Sequence, residues 1–112
     1  EKIMNRIEEL SNYFVEETSE VPNKHSKKFL LEFLKNINYK KIPSITLSPS
    51  GNFSIRWIDG PNKIVLNFHE KKYIEYLILL NEDLENQEIH EGMTKEHSFI
   101  KCFHSLINKI IK

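Results

Sequence analysis

The stretch PSITLSPSGNFSIRWIDGPNKIVLNFHEKKYIEYLILLN, running from Pro43 to Asn81, decides the fold. Ile45 and Leu47 alternate with Thr46 and Ser48, Pro49-Ser50-Gly51-Asn52 turns the chain, and Phe53, Ile55 and Trp57 then alternate with Ser54, Arg56 and Ile58. Period-two alternation bounded by residues that tolerate tight turns marks strands with two distinct faces. A second break, Asp59-Gly60-Pro61-Asn62, leads into Ile64, Leu66 and Phe68, and Glu70-Lys71-Lys72 forms a polar corner before Tyr73 to Leu80. Four consecutive strands over 44–80 with short turns between them predict an antiparallel meander.

Upstream, Ile3, Ile7, Leu10 and Phe14 form one apolar stripe with Glu8, Glu9, Glu16 and Glu17 mostly off it, which predicts an amphipathic helix over 1–17. Two heptads are too few for a coiled coil, so the stripe is expected to face the sheet. Asn23 is placed to cap a second helix over 23–37, with Phe29, Leu30, Phe33, Leu34 and Ile37 at helical spacing. Asn38 to Pro43 ends it, because the residue before a proline is pushed out of the helical region. Beyond the meander, Asn81 to Gln87 reads as a polar linker and Glu88 to Gly92 as a short fifth strand at a sheet edge. Thr94 is expected to cap a last helix over 95–111, with Phe99, Cys102, Phe103, Leu106 and Ile110 on one face and Ile100, Ile107 and Ile111 beside it.

The predicted order is therefore ααββββ(β)α in one domain over 1–112. Helices and strands that come in runs imply an α+β fold, an antiparallel sheet with helices packed mainly on one face. Ile45, Leu47, Phe53, Ile55, Trp57, Ile64, Leu66 and Phe68 are the candidates for the dry side. In the fourth strand Glu75 sets the parity, so Ile74, Tyr76, Ile78 and Leu80 turn inward. Tyr73, Leu77 and Leu79 then turn outward, on the same side as Arg56, Ile58, Val65 and Asn67. Exposed apolar groups with an arginine and a tyrosine among them are what protein interfaces favour. Arg56, Ile58, Val65, Tyr73, Leu77 and Leu79 are the candidate partner-binding residues; the competing arrangement lays the first helix across them.

At 112 residues the chain is long enough to bury roughly two thirds of its unfolded surface without disulfides or metals. Sixteen basic side chains balance sixteen acidic ones, which removes the field on which non-specific nucleic-acid binding depends. The single cysteine, Cys102, forms no intrachain disulfide and suits a reducing cytoplasm. The longest apolar run, Tyr76 to Leu80, falls far short of the ~20 residues of a membrane-spanning helix, so no membrane is expected among the partners. No basic-then-apolar leader opens the sequence, which starts at Glu1 without an initiator methionine and leaves room for residues upstream.

Several patterns imitate catalytic or binding motifs. Asp59 followed by Glu70-Lys71-Lys72 has the acid, acid-x-lysine order of restriction-type nucleases. At ~3.3 Å per residue, however, the two ends of the third strand put these acids roughly 20 Å apart, beyond one metal's reach. His90, His97 and His104 recur every seven residues, but helical zinc ligands sit three or four apart rather than the ~10.5 Å that two turns impose. Cys102 and His104 point about 200° apart on their helix and do not form a nucleophile–base pair. The isolated glycines Gly51, Gly60 and Gly92 make no phosphate-binding loop. Phe53 and Trp57 alternate like the aromatics of RNA-binding sheets, yet here the strands are consecutive rather than interleaved with helices. No cofactor, metal or catalytic residue is assigned.

The residues Pro43-Ser44-Ile45-Thr46-Leu47-Ser48-Pro49-Ser50-Gly51-Asn52-Phe53-Ser54-Ile55-Arg56-Trp57 resemble a hairpin of many small uncharacterised bacterial proteins that read Pro-x-Ile-x-x-Ser-Pro-x-Gly-x-apolar-x-apolar-x-Trp. The likeness runs from Phe29 to the C-terminus; the Trp-Asp-Gly segment common upstream in those proteins is replaced here by Glu16 to Asn23. It implies an α+β adaptor or inhibitor of the toxin-neighbouring, mobile-element kind and names no active site. The functional expectation is a non-enzymatic protein-binding module of the antitoxin, immunity or phage-defence type, whose partner is another protein, with pairing to a second copy left open. Two alternatives remain: a metal-dependent hydrolase or nuclease with a dispersed site, for instance Glu75, His69 and Arg56, and a nucleic-acid accessory factor.

Overall fold

Alternation in 44–80 translates directly into a sheet. The computed structural model describes residues 2–37, 39–69 and 73–111. Two helices, α1 (Lys2–Thr18) and α2 (Lys24–Asn36), precede five strands, and one helix follows them. The strands are β1 (Ser44–Leu47), β2 (Phe53–Asp59), β3 (Asn62–Phe68), β4 (Tyr73–Leu80) and β5 (Glu88–Lys95), and the last helix is α3 (Glu96–Ile111). Every strand pairs antiparallel with its neighbour in sequence, giving the order β1-β2-β3-β4-β5. The Glu70-Lys71-Lys72 corner lies outside the described residues, as does Asn38 at the end of the second helical segment.

The turn between β2 and β3 follows from its two central residues. Gly60 has φ +57, the sign that a tight hairpin needs at its first central position, and the fixed negative φ of Pro61 selects the type II′ geometry over type I′. Asp59 then pairs with Asn62, and the register runs through Trp57↔Ile64 and Arg56↔Val65 to Ser54↔Asn67. Gly51 (φ +88) serves the β1–β2 turn, where a Cβ would stand 3.4 Å from the Asn23 nitrogen and 3.5 Å from the Phe14 ring.

One side of the sheet is dry. Ile45, Phe53, Ile55, Trp57, Ile64, Leu66, Phe68, Ile74 and Ile78 are buried there, with Leu47, Tyr76 and Leu80 half-buried at the margins. All three helices press their apolar stripes onto this same cluster: Ile3 and Ile7 from α1, Phe29, Leu30 and Phe33 from α2, Phe99, Ile107, Ile110 and Ile111 from α3. Asn23 caps α2, its side-chain oxygen accepting from the backbone N–H groups of His25 and Ser26. Such a cap satisfies donors that the first turn of a helix leaves unpaired.

Ser26 ties this helix to the sheet. Its hydroxyl, fully buried, donates to the Phe68 carbonyl at 2.6 Å and accepts from the Phe53 N–H at 2.8 Å. Phe53 and Phe68 are the next rung after Ser54↔Asn67, so the hydroxyl takes the place of a ladder bond. Trp57 is similarly anchored: 2% exposed, it donates from Nε1 to the Lys41 carbonyl at 2.8 Å and lies against the Tyr39 ring.

Two expectations for the C-terminal third are corrected. Thr94 is not a helix cap; it belongs to β5, opposite Ile74, and the strand continues through Lys95↔Tyr73 before the helix begins at Glu96. Three more backbone rungs outweigh a single capping bond. Cys102 is exposed rather than part of an apolar face. At 100° per residue the buried residues Phe99, Ile107, Ile110 and Ile111 fill an arc of about 120° that leaves Cys102 about 60° outside its edge.

Two stability measurements follow. Trp57→Ala should lower the unfolding free energy by ~3–5 kcal/mol, read from urea transitions, because it opens a cavity and strands the Lys41 carbonyl. Ser26→Ala removes almost no volume yet leaves the Phe53 N–H and Phe68 C=O buried without a partner, a loss of about 1–3 kcal/mol for each.

Candidate functional site

Because side chains alternate across a strand, burial of one side of the sheet fixes what the other side shows. The outward residues form rows across the strands. One row runs Ser44, Arg56, Val65, Leu77, Glu91, the next Ile58, Lys63, Leu79, Ile89, and on the other flank stand Thr46, Ser54, Asn67, Glu75 and Met93. Tyr73 sits opposite Lys95, whose Nζ lies 6.0 Å from the centre of the tyrosine ring.

The six expected partner-binding residues all fall on this side. Arg56, Ile58 and Tyr73 are exposed, and Val65, Leu77 and Leu79 are half-buried by their neighbours in the rows. The arrangement with α1 laid across them does not hold, because the α1 stripe packs into the cluster on the opposite side, next to β1. Ile58 at 57%, Ile89 at 54% and Met93 at 55% exposed show how little covers this face. A shallow depression of about 590 Å³ lies on it, lined by Val65, Asn67, Glu75, Leu77, Glu91 and Met93 among others.

Sequence reading placed Ile89 and Glu91 in a fifth strand without assigning them a face, and missed Met93 and Lys95 because it ended that strand at Gly92. No apolar–polar alternation marks them, because Ile89, Glu91, Met93 and Lys95 mix apolar and charged residues and a glycine interrupts the intervening set. That glycine has a packing reason. Tyr76, its cross-strand partner, lays its ring against the backbone so closely that a Cβ at Gly92 would stand 2.9 Å from the hydroxyl. The same ring packs on Phe99 and Phe103 of α3, at 5.3 and 5.0 Å between centroids.

The charged groups on the face are Arg56, Lys63, Glu75, Glu91 and Lys95. His69 Nε2 and Glu75 Oε1 are 3.0 Å apart, and Asn67 Nδ2 donates to the same oxygen at 3.4 Å. Arg56 stands one row over and two strands away, a Cα separation of ~12 Å, and has no carboxylate within ion-pair distance among the described residues. Asp59 pairs instead with Lys41 at 3.2 Å on the hairpin side. His90 turns inward against the Phe103 ring, His97 is exposed, and His104 lies 3.2 Å from the Asn108 amide. Among the described residues, no three His, Cys, Asp or Glu side chains are grouped to hold a metal. Phe53 and Trp57, the pair that imitates a base-stacking surface, are buried under the helices.

A second concavity, about 430 Å³, runs between α1 and the β1 edge and is lined by Leu10, Tyr13, Phe14, Leu47 and Pro49 among others. β1 and β5 are the two edges of the sheet. No helix among the described residues is long and apolar enough to cross a membrane. No family model matches the chain, and no curated protein or solved structure matches it either.

The contrast between the two sides of β4 is directly measurable. Leu77→Asp should leave a cooperatively folded protein destabilised by about 1 kcal/mol, the span of strand preferences on an open face, whereas the neighbouring Ile78→Asp buries an unpaired carboxylate and should abolish the folded near-ultraviolet circular dichroism signal.

Proposed function

We propose that this chain is a protein-binding module whose docking surface is the open side of the sheet, acting by contact rather than by catalysis. The observation that carries the reading is the segregation of all three helices to one side. Antiparallel sheets often wet one face, and then that face alternates to polar residues. Here the wet side, beside polar residues such as Lys63, Asn67, Glu75 and Lys95, also keeps Ile58, Val65, Leu77, Leu79, Ile89 and Met93, with Arg56, Tyr73 and Glu91 among them. An aliphatic centre with an arginine and a tyrosine nearby has the composition of an interface core. The inhibitor role of the antitoxin, immunity or phage-defence kind is supported by the resemblance of the Pro43 to Trp57 hairpin alone.

The test is affinity capture from the native cell, quantified by mass spectrometry, with point variants as the controls. Leu77→Asp and Ile58→Asp should each reduce recovery of the specific partner by about tenfold or more, as loss of a central contact does. Tyr13→Asp, exposed on α1 beside β1, should leave it unchanged. Recovery indifferent to both outward substitutions would remove the docking assignment.

A further inference from the structure

We propose that the occupant of the open face is a second copy of this chain, docked face to face about a two-fold axis parallel to the strands. The inference rests on the docking reading above and names the partner.

Its basis is the order of side chains in one row. Arg56, Val65, Leu77 and Glu91 lie side by side from β2 to β5, a cation and a carboxylate flanking two aliphatics. Both charged residues are exposed, and neither has an ion-pair partner among the described residues. Rotation about an axis along the strands reverses the strand order in the facing copy and leaves position along each strand unchanged. Arg56 then faces Glu91 of the second copy, and Val65 faces its Leu77. In the adjoining row the same operation sets Ile58 against the second copy's Ile89, and the stem of Lys63, whose ammonium lies 3.9 Å from Glu82, against its Leu79. Each contact occurs twice, as an isologous interface requires.

The charge pattern also selects the axis. A two-fold across the strands, through this row, would set Arg56 on Arg56 and Glu91 on Glu91, and opposed like charges reject a partner. The strand-parallel axis brings unlike charges together and matches the aligned packing of sheets ~10 Å apart. Four strands at ~4.8 Å and seven residues at ~3.3 Å give roughly 19 × 23 Å of plan area. With side-chain relief, two such faces bury about 1,000 Å² in total, the lower edge of a specific interface, which suits a reversible micromolar dimer.

Sedimentation of the full chain from about 1 to about 200 µM tests this. The wild type should pass from monomer to dimer over that range. Arg56→Glu and Glu91→Arg should each dissociate at least about tenfold more readily. Mixed in equal amounts, the two single variants should form a heterodimer, because one ion pair is then native and the other is restored with reversed sign; the double variant R56E/E91R, with both pairs reversed, should dimerise alone. Recovery on mixing separates a broken interface from a misfolded chain. A wild type that stays monomeric throughout overturns the inference, and the capture experiment then tells whether the docking reading survives: partner loss with Leu77→Asp keeps it, indifference ends both. A dimer unaffected by Arg56→Glu also overturns it, because Arg56 lies three strands, or ~14 Å, from β5 and does not report on edge pairing there.

Discussion

The Ser26 hydroxyl fixes where α2 sits on the sheet. Among the described residues it is the one fully buried polar side chain, and it spans α2, the start of β2 and the end of β3 with two short hydrogen bonds. A buried hydroxyl that lost either partner would carry a desolvation cost with nothing to offset it, so the geometry has little freedom. The same corner is held by the Asn23 N–H donating to the Gly51 carbonyl at 2.8 Å and by the Asn23 amide donating to the Asn52 side chain at 3.2 Å. With the first turn of α2 pinned to the β1–β2 hairpin, its apolar stripe has one place to go. Phe29 and Phe33 meet Phe68 at 5.2 and 5.3 Å.

From that corner a chain of rings extends across the interior. Phe33 contacts Phe99, Phe99 contacts Tyr76 and Phe103, and His90 stands at the far end against Phe103. Tilted and edge-on ring pairs at these separations add attraction beyond the area they bury. The interior joins all three helices to one surface of the sheet, and the opposite surface is left with aliphatics set among polar and charged residues. The asymmetry that makes that surface a docking candidate is a by-product of how the core is filled.

How much of this was legible in the sequence depended on local redundancy. β2, β3 and β4 each repeat the apolar alternation three or four times, and glycines or prolines mark the turns at either end of β2, so inward and outward sets could be assigned residue by residue, including the parity given by Glu75. Asn23 announced the α2 cap because its chemistry is local. β5 was legible only to Gly92: an edge strand needs no dry side, and its two large apolar residues, Ile89 and Met93, point to the open face. The β5 side of the candidate surface was therefore left unassigned, and its last two outward residues, Met93 and Lys95, fell outside the expected strand. In α3 eight apolar residues crowd sixteen positions, too many to fix the centre of the buried arc without knowing what lies opposite, and Cys102 was misplaced for that reason. Ser26 left no signal, because a serine in a first helical turn looks the same whether it meets water or the two ends of a ladder.

The linear strand order has a kinetic consequence. Each strand bonds to the one synthesised just before it, across turns as short as two residues, so loop closure costs little conformational entropy at each step and the sheet is able to grow in the direction of translation. α1 and α2 emerge before the strands and wait near β1 to β3, but α3, whose contacts reach from β2 to β5, follows the whole sheet. Until it arrives, Ile74, Tyr76 and Ile78 have no lid. The nascent chain is thus most adhesive in the interval between completing β4 and releasing the sixteen residues of α3.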